Sequence, residues 1–97
     1  MTPLSIIIVS FNTKEITKQC LLSLKNNFIK YPLEYEIIVV DNNSNDGSVE
    51  ELLNLEKQWD NLHVFLSKKN LGFGKGNNLG LEKSKGKYIL YLNSDAI

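Results

Sequence analysis

Two carboxylates in this sequence stand where an apolar run gives way to a polar loop, and they are the first places to look for chemistry. Asp95 follows Tyr88 to Leu92 in GKYILYLNSDAI, and Asp41 follows EIIVV at the head of DNNSNDGS. Asn93-Ser94-Asp95 offers oxygen donors to a divalent cation bridging a diphosphate, since hard cations take one or two protein ligands when phosphates supply the others. Asp95 could equally be a loop carboxylate capping something downstream. Asp41 could accept from ribose hydroxyls or from the imide N–H of a pyrimidine base, or it could bond its own turn backbone. Asp46, deeper in the same turn, reads as structural.

A third group of residues surrounds glycines. Gly72-Phe73-Gly74-Lys75-Gly76 is flanked by Asn70 and Asn77. A dinucleotide fingerprint belongs after the first strand, where this chain has Phe11-Asn12-Thr13-Lys14, and a phosphate-binding P-loop needs Gly-Lys-Ser/Thr. Neither pattern is met. The glycines serve either backbone approach to a ligand or helix packing, and a nearby Asn bonds either backbone or ligand. His63, between Leu62 and Val64, has no second His or Cys at ligand spacing and is not read as a metal ligand. Trp59, Phe65 and the tyrosines of the last run read as core or sheet-face residues. Lys68 and Lys69 form a short solvated pair.

The elements that would position these groups alternate along the chain. Leu4 to Val9 (LSIIIV) is β-branched and too continuously apolar for a strand with one wet face. Asn12 with Glu15 has capping-box spacing, and Ile16, Cys20, Leu21, Leu24 and Phe28 then recur at helical intervals, predicting a helix from about Lys14 to Phe28 that Pro32 closes off. Glu36–Val40 is a second buried strand. Ser48 with Glu51 repeats the capping box before a helix from about Val49 to Gln58, with Val49, Leu52, Leu53 and Trp59 along one side. Leu62–Leu66 is a shorter third strand. Asn70 to Lys85 is glycine-rich and poor helix material, yet Gly76, Gly80 and Ser84 recur every four residues, a stripe that lets a helix approach a strand closely; Gly86 is its expected stop. Tyr88–Leu92 reads as a buried central strand.

Strand and helix in strict alternation demand right-handed crossovers, so the fold class is α/β: a Rossmann-like parallel sheet with helices on both faces. With strand order 3-2-1-4, the crevice between the first and fourth strands is the topological switch point, where open sheets bind ligands. Ser10, Phe11, Asn12, Asp41, Asn93 and Asp95 all leave strand tips on that side.

Composition narrows the partners. The 97 residues make one domain, and eleven Lys and Arg balance eleven Asp and Glu, so no global field favours nucleic acid or an anionic membrane. The single cysteine, Cys20, excludes an internal disulfide and a cysteine-built zinc site and fits a reducing, cytoplasmic setting. The first apolar run lacks a basic lead-in and is too short for a membrane span.

SIIIVSFN, EIIVVDNNSNDGS, NLGFGKGNNLGL and GKYILYLNSDA, in that order and covering nearly the whole chain, resemble the nucleotide-binding half of family 2 glycosyltransferases with the A-type (GT-A) fold. The branch resembling rhamnosyltransferases, where the metal-binding Asp-x-Asp is often Asn-x-Asp, looks nearest. The resemblance implies that Ser10, Phe11 and Asn12 line the base and ribose, and that Asp41 contacts the base. It implies that Gly72, Asn77 and Asn93 help form the pocket of a UDP- or dTDP-sugar, and that Asp95 coordinates Mn2+ or Mg2+. In such enzymes the metal neutralises the leaving diphosphate while a carboxylate base deprotonates the acceptor hydroxyl, giving inversion. The acceptor would be a saccharide or a lipid-linked sugar, reached from the cytoplasm or the inner face of the membrane.

Family members carry that base, and the acceptor surface, after the metal motif. The resemblance therefore assigns no catalytic base to residues 1–97 and places it downstream of Ile97. The chain is expected to be the donor-binding half of a longer enzyme, with Ile97 standing just past Asp95. The alternative is a stand-alone α/β nucleotide-binding or interaction module without catalysis. An unprotected YILYL edge would favour truncation and self-association through the last strand.

Overall fold

The computed structural model describes residues 3–29 and 34–92. Strand β1 (Leu4–Ser10), helix α1 (Lys14–Ile29), β2 (Tyr35–Asp41), α2 (Ser48–Gln58), β3 (Leu62–Leu66), α3 (Gly72–Lys83) and β4 (Tyr88–Tyr91) follow one another in strict alternation. The sheet order is β3-β2-β1-β4, and every pairing is parallel. The expected order 3-2-1-4 is the one observed.

Period-two alternation divides the two central strands between the faces of the sheet. Ile6, Ile8, Ile37 and Val39 point to one side and pack with Cys20 and Leu21 of α1 and with Leu52 and Leu55 of α2. Ile7, Ile38 and Val40 point to the other, where Phe65, Leu79 and Ile89 meet them. Helices thus cover both faces, which is why β1 and β2 carry almost unbroken apolar runs.

On α3 the small-residue stripe does what its spacing predicts. A Cβ on Gly80 would lie 2.5 Å from Ile7 Cγ2, and one on Gly76 would lie 2.9 Å from Val9 Cγ1. The helix axis therefore sits against β1 at a distance that side chains would forbid.

Several local expectations are corrected. Asn12 does not cap α1: it has φ 50°, and its side-chain oxygen accepts from the N–H of Asn45 instead. The free N–H of Lys14 is taken by Asp46. Ser48 does not cap α2 either. It is already the first helical residue, it donates to Asp46, and Glu51 pairs with Lys18 at 3.0 Å. In both cases the capping-box spacing is present, but Asp46 from the turn takes the Lys14 N–H at α1 and the Ser48 hydroxyl at α2, where the Glu51 N–H bonds the Gly47 carbonyl instead.

Ile16 is 44% exposed, and the inward position it was expected to hold belongs to Thr17. On α2, Leu55 is buried where Leu53 was expected. Gly86 is not a left-handed helix stop, since α3 ends on an extended Ser84; a Cβ on Gly86 would collide with the backbone of Ser5. Finally, β4 is not a buried central strand. It is an edge strand of the described sheet, with Tyr88, Leu90 and Tyr91 exposed and Ile89 turned toward the core.

Candidate functional site

Asp41 ends β2 completely buried, and its carboxylate is organised by Ser44. The Ser44 N–H donates to Oδ2 at 2.8 Å and the Ser44 hydroxyl donates to Oδ1 at 2.7 Å. The same hydroxyl accepts the backbone N–H of Asn12 at 2.8 Å, and Asn12 Oδ1 accepts from Asn45 N–H at 2.8 Å. The loops leaving β1 and β2 are thereby clasped together at the strand tips. Among the described residues, the non-glycine positions with positive φ are Asn12 (50°) and Asn43 (68°), one on each side of this clasp. Asn tolerates that conformation better than most residues, though at some cost.

Ser10 is fully buried and faces inward. Its hydroxyl lies 3.0 Å from that of Thr17 and 3.3 Å from that of Thr13, which are themselves 2.9 Å apart. Its carbonyl accepts the N–H of Asn42. Phe11, by contrast, is 38% exposed at the tip of β1, and Asn12 is exposed beside it.

Asn42 connects this region to the glycine segment. It is 2% exposed; its Nδ2 donates to the Gly72 carbonyl at 3.2 Å and its Oδ1 accepts from Leu71 N–H at 3.5 Å. Gly72 has φ 78°, and its N–H is held by Asn70 Oδ1 at 2.9 Å. The two readings of the glycines therefore divide by position. Gly76 and Gly80 serve packing, whereas Gly72 and Gly74 have nothing within 4 Å of a would-be Cβ and leave backbone open at the start of α3. Asn77, one turn on, is half-buried.

Asp46 serves the starts of two helices. It accepts from Lys14 N–H at the head of α1 and from the N–H and hydroxyl of Ser48 at the head of α2. The Ser48 hydroxyl, above all, holds its carboxyl below the usual carboxylate range. On the outer surface, hydrogen bonding to Glu51 raises the Lys18 ammonium above its ordinary value.

Asn93, Asp95 and Ile97 lie outside the described residues. The metal ligand expected at Asp95, and the catalytic base expected downstream of Ile97, therefore have no counterpart in the described geometry. Among the described residues, no group of three or more His, Cys, Asp or Glu could hold a metal ion.

Ser10, Phe11, Asn12, Asp41 and Gly72 thus share one end of the sheet, where Ser44 and Asn42 connect their loops. Sequence reasoning left Ser44, Asn42, Thr13 and Thr17 unassigned. The signals available were the place of Asn42 directly after Asp41 and the spacing of hydroxyls at residues 10, 13 and 17.

The model of Glycosyl transferase family 2 matches residues 5–97. The chain belongs to that family. Among curated family relatives, a poly(ribitol-phosphate) beta-glucosyltransferase of Bacillus spizizenii is 36% identical over 93 residues, covering 95% of this chain and 14% of that protein. The crystal structure of Staphylococcus aureus TarS 1-349 in complex with UDP-GlcNAc superposes with a TM-score of 0.83 at 29% identity, covering 97% of this chain and 27% of that one. The mannosyltransferase PcManGT of Pyrobaculum calidifontis, in complex with GDP-Man and Mn2+, shares the fold with a TM-score of 0.82 at 18% identity, over 100% of this chain and 29% of that one. The sequence spans less than a third of the length of the first curated relatives it matches.

Proposed function

We propose that this chain is the donor-binding half of a metal-dependent, inverting glycosyltransferase that takes a UDP- or dTDP-sugar and glycosylates a hydroxyl of a saccharide or lipid-linked acceptor. The observation that carries the reading is the family match across residues 5–97, which embraces both Asp41 and Asp95. The clasp that brings the β1 and β2 tips together supports it further.

In this reading Phe11 and Asn12, exposed at the tip of β1, meet the base and ribose, and the buried Asp41 sets the base-side wall. Ser10 acts from beneath that wall, since its hydroxyl is spent on the threonines. Gly72 and Asn77 contribute the glycine side of the pocket. Asp95, with Asn93 beside it, holds Mn2+ or Mg2+, which when bound would offset the charge of the departing diphosphate. The base that deprotonates the acceptor belongs to sequence downstream of Ile97. The Asn-x-Asp spelling favours a rhamnosyl or other hexosyl donor.

A cytoplasmic protein, or one peripheral to the inner membrane face, suits a nucleotide-sugar donor; no helix among the described residues is long and apolar enough to cross a membrane.

Calorimetric titration with UDP and dTDP tests the reading. Weak binding that gains from Mn2+, with the gain lost in Asp95→Ala, is the expected result. No nucleotide binding with or without metal refutes it. A second reading, self-association through β4, is favoured by the exposure of Tyr88, Leu90 and Tyr91. Light scattering that finds only monomer at high concentration removes it.

A further inference from the structure

The polar residues at the strand tips differ in what they connect. The Asp41 carboxylate is held by Ser44, while Asn12 meets Ser44 through its N–H and Asn45 through its side-chain oxygen. Ser44 is the residue that joins the two loops, through a hydroxyl with one proton to give. That proton goes to Asp41 Oδ1, so the oxygen is left to accept the Asn12 N–H, and the direction of the whole relay is set. Both left-handed asparagines flank it. Strained backbone persists where surrounding structure holds it and gathers at ligand-binding positions.

We infer that Ser44 is a positioning residue for the nucleotide base: its hydroxyl fixes the Asp41 carboxylate and the Asn12 backbone relative to each other, so that both loops present one rigid wall. The inference rests on the donor-site reading above. A role in folding alone would need only the local turn from Asp41 to Ser44. The additional bond to Asn12, 32 residues away, contributes nothing to that turn. What it fixes is the distance between two tips that a planar base would have to span.

Ser44→Ala removes the relay, while Ser44→Thr keeps the hydroxyl. The probes are UDP, which needs the base wall, and Mn2+ with inorganic pyrophosphate, which does not. In Ser44→Ala the affinity for UDP is expected to fall about tenfold, the equivalent of about 1.4 kcal/mol, with pyrophosphate affinity within twofold of wild type. Ser44→Thr is expected to bind UDP within threefold of wild type. Unchanged UDP affinity in folded Ser44→Ala overturns the inference and leaves the donor site standing. So does an equal loss for both probes, which would mark a general structural role. If Ser44→Ala does not fold, a folded Ser44→Thr that binds UDP tenfold more weakly overturns it instead. Absence of UDP binding by the wild-type protein refutes the donor-site reading along with it.

Discussion

Strand β2 carries a buried acid at each end, and the two are held in opposite ways. Asp41, at the tip facing the candidate site, is satisfied by Ser44, three residues away. Glu36, at the other end and 6% exposed, draws its partners from across the fold. Its Oε2 accepts the Ser5 hydroxyl at 2.5 Å and the Lys85 N–H at 2.6 Å, while His63 Nε2 stands 3.9 Å from Oε1. Gly86 N–H then donates to Ser5 Oγ at 2.8 Å. Glu36 thus ties β1, β2 and the connection from α3 into β4 together. Asp41 shapes a loop; Glu36 docks an element. The Asp41–Ser44 bonds close only a short turn and cost little chain entropy, whereas the Glu36 bonds to Ser5 and Lys85 each close a long loop.

The largest effect should come from breaking the distant end. Glu36→Ala leaves the Ser5 hydroxyl and the Lys85 N–H without a buried acceptor, and is expected to cost about 4 kcal/mol in urea unfolding at neutral pH. Asp41→Ala leaves donors on a half-buried turn that water can reach, and should cost about 1 kcal/mol. For UDP binding the ranking reverses: Asp41→Ala abolishes it, and Glu36→Gln, which keeps an acceptor, leaves it near wild type. Equal stability losses at the two ends would break the contrast.

Each end also has a glycine, and these sharpen the same comparison. A Cβ on Gly86 would sit 2.6 Å from the backbone nitrogen of Ser5, which cannot move aside without disturbing β1. Gly86→Ala is expected to cost about 3 kcal/mol by overpacking. Gly72 has open space around it and a φ of 78°, so Gly72→Ala meets only backbone strain and should cost about 1 kcal/mol. Thermal unfolding of the two variants side by side measures the difference.

An effect of the same small size lies in Asp46. Its carboxyl is held below the usual range in the folded protein by the Ser48 hydroxyl, so the stability it contributes is fully present above its unfolded value, near 3.8, and fades as pH falls through the lower folded value. Asp46→Ala should lower stability by about 1 kcal/mol at pH 7, as loss of a helix cap does. The gap from wild type should close in melts carried down into the acid range. A gap that persisted there would mean that its hydrogen bonds are not what it contributes.

The alternation of apolar runs with helical stripes was enough to predict a parallel sheet with right-handed crossovers, while the order 3-2-1-4 came with the family resemblance and is the one observed. The spacing of Gly76 and Gly80 likewise foretold a close approach of α3 to a strand, which the structure shows to be β1. The failures share a cause. Asn12 with Glu15 and Ser48 with Glu51 have capping spacing, yet both caps were lost to Asp46. Local spacing shows which groups could bond; only the folded chain shows which carboxylate arrives first. Ile16 lost its inward place to Thr17, whose hydroxyl meets those of Ser10 and Thr13 beneath the strand tip.

By itself, then, the sequence determined the elements, their order, the family and one end of the sheet as the place for polar residues, since these follow from periodicity and from motifs read along the chain. Tertiary structure alone decided that Ser44 joins Asn12 to Asp41, that Asn42 anchors the start of α3, and that Glu36 gathers Ser5, Lys85 and His63. Those contacts span from 3 to 49 residues of sequence. Hydrogen bonds depend on distances of a few tenths of an ångström, which the packing of helices on the sheet sets and no spacing along the chain contains.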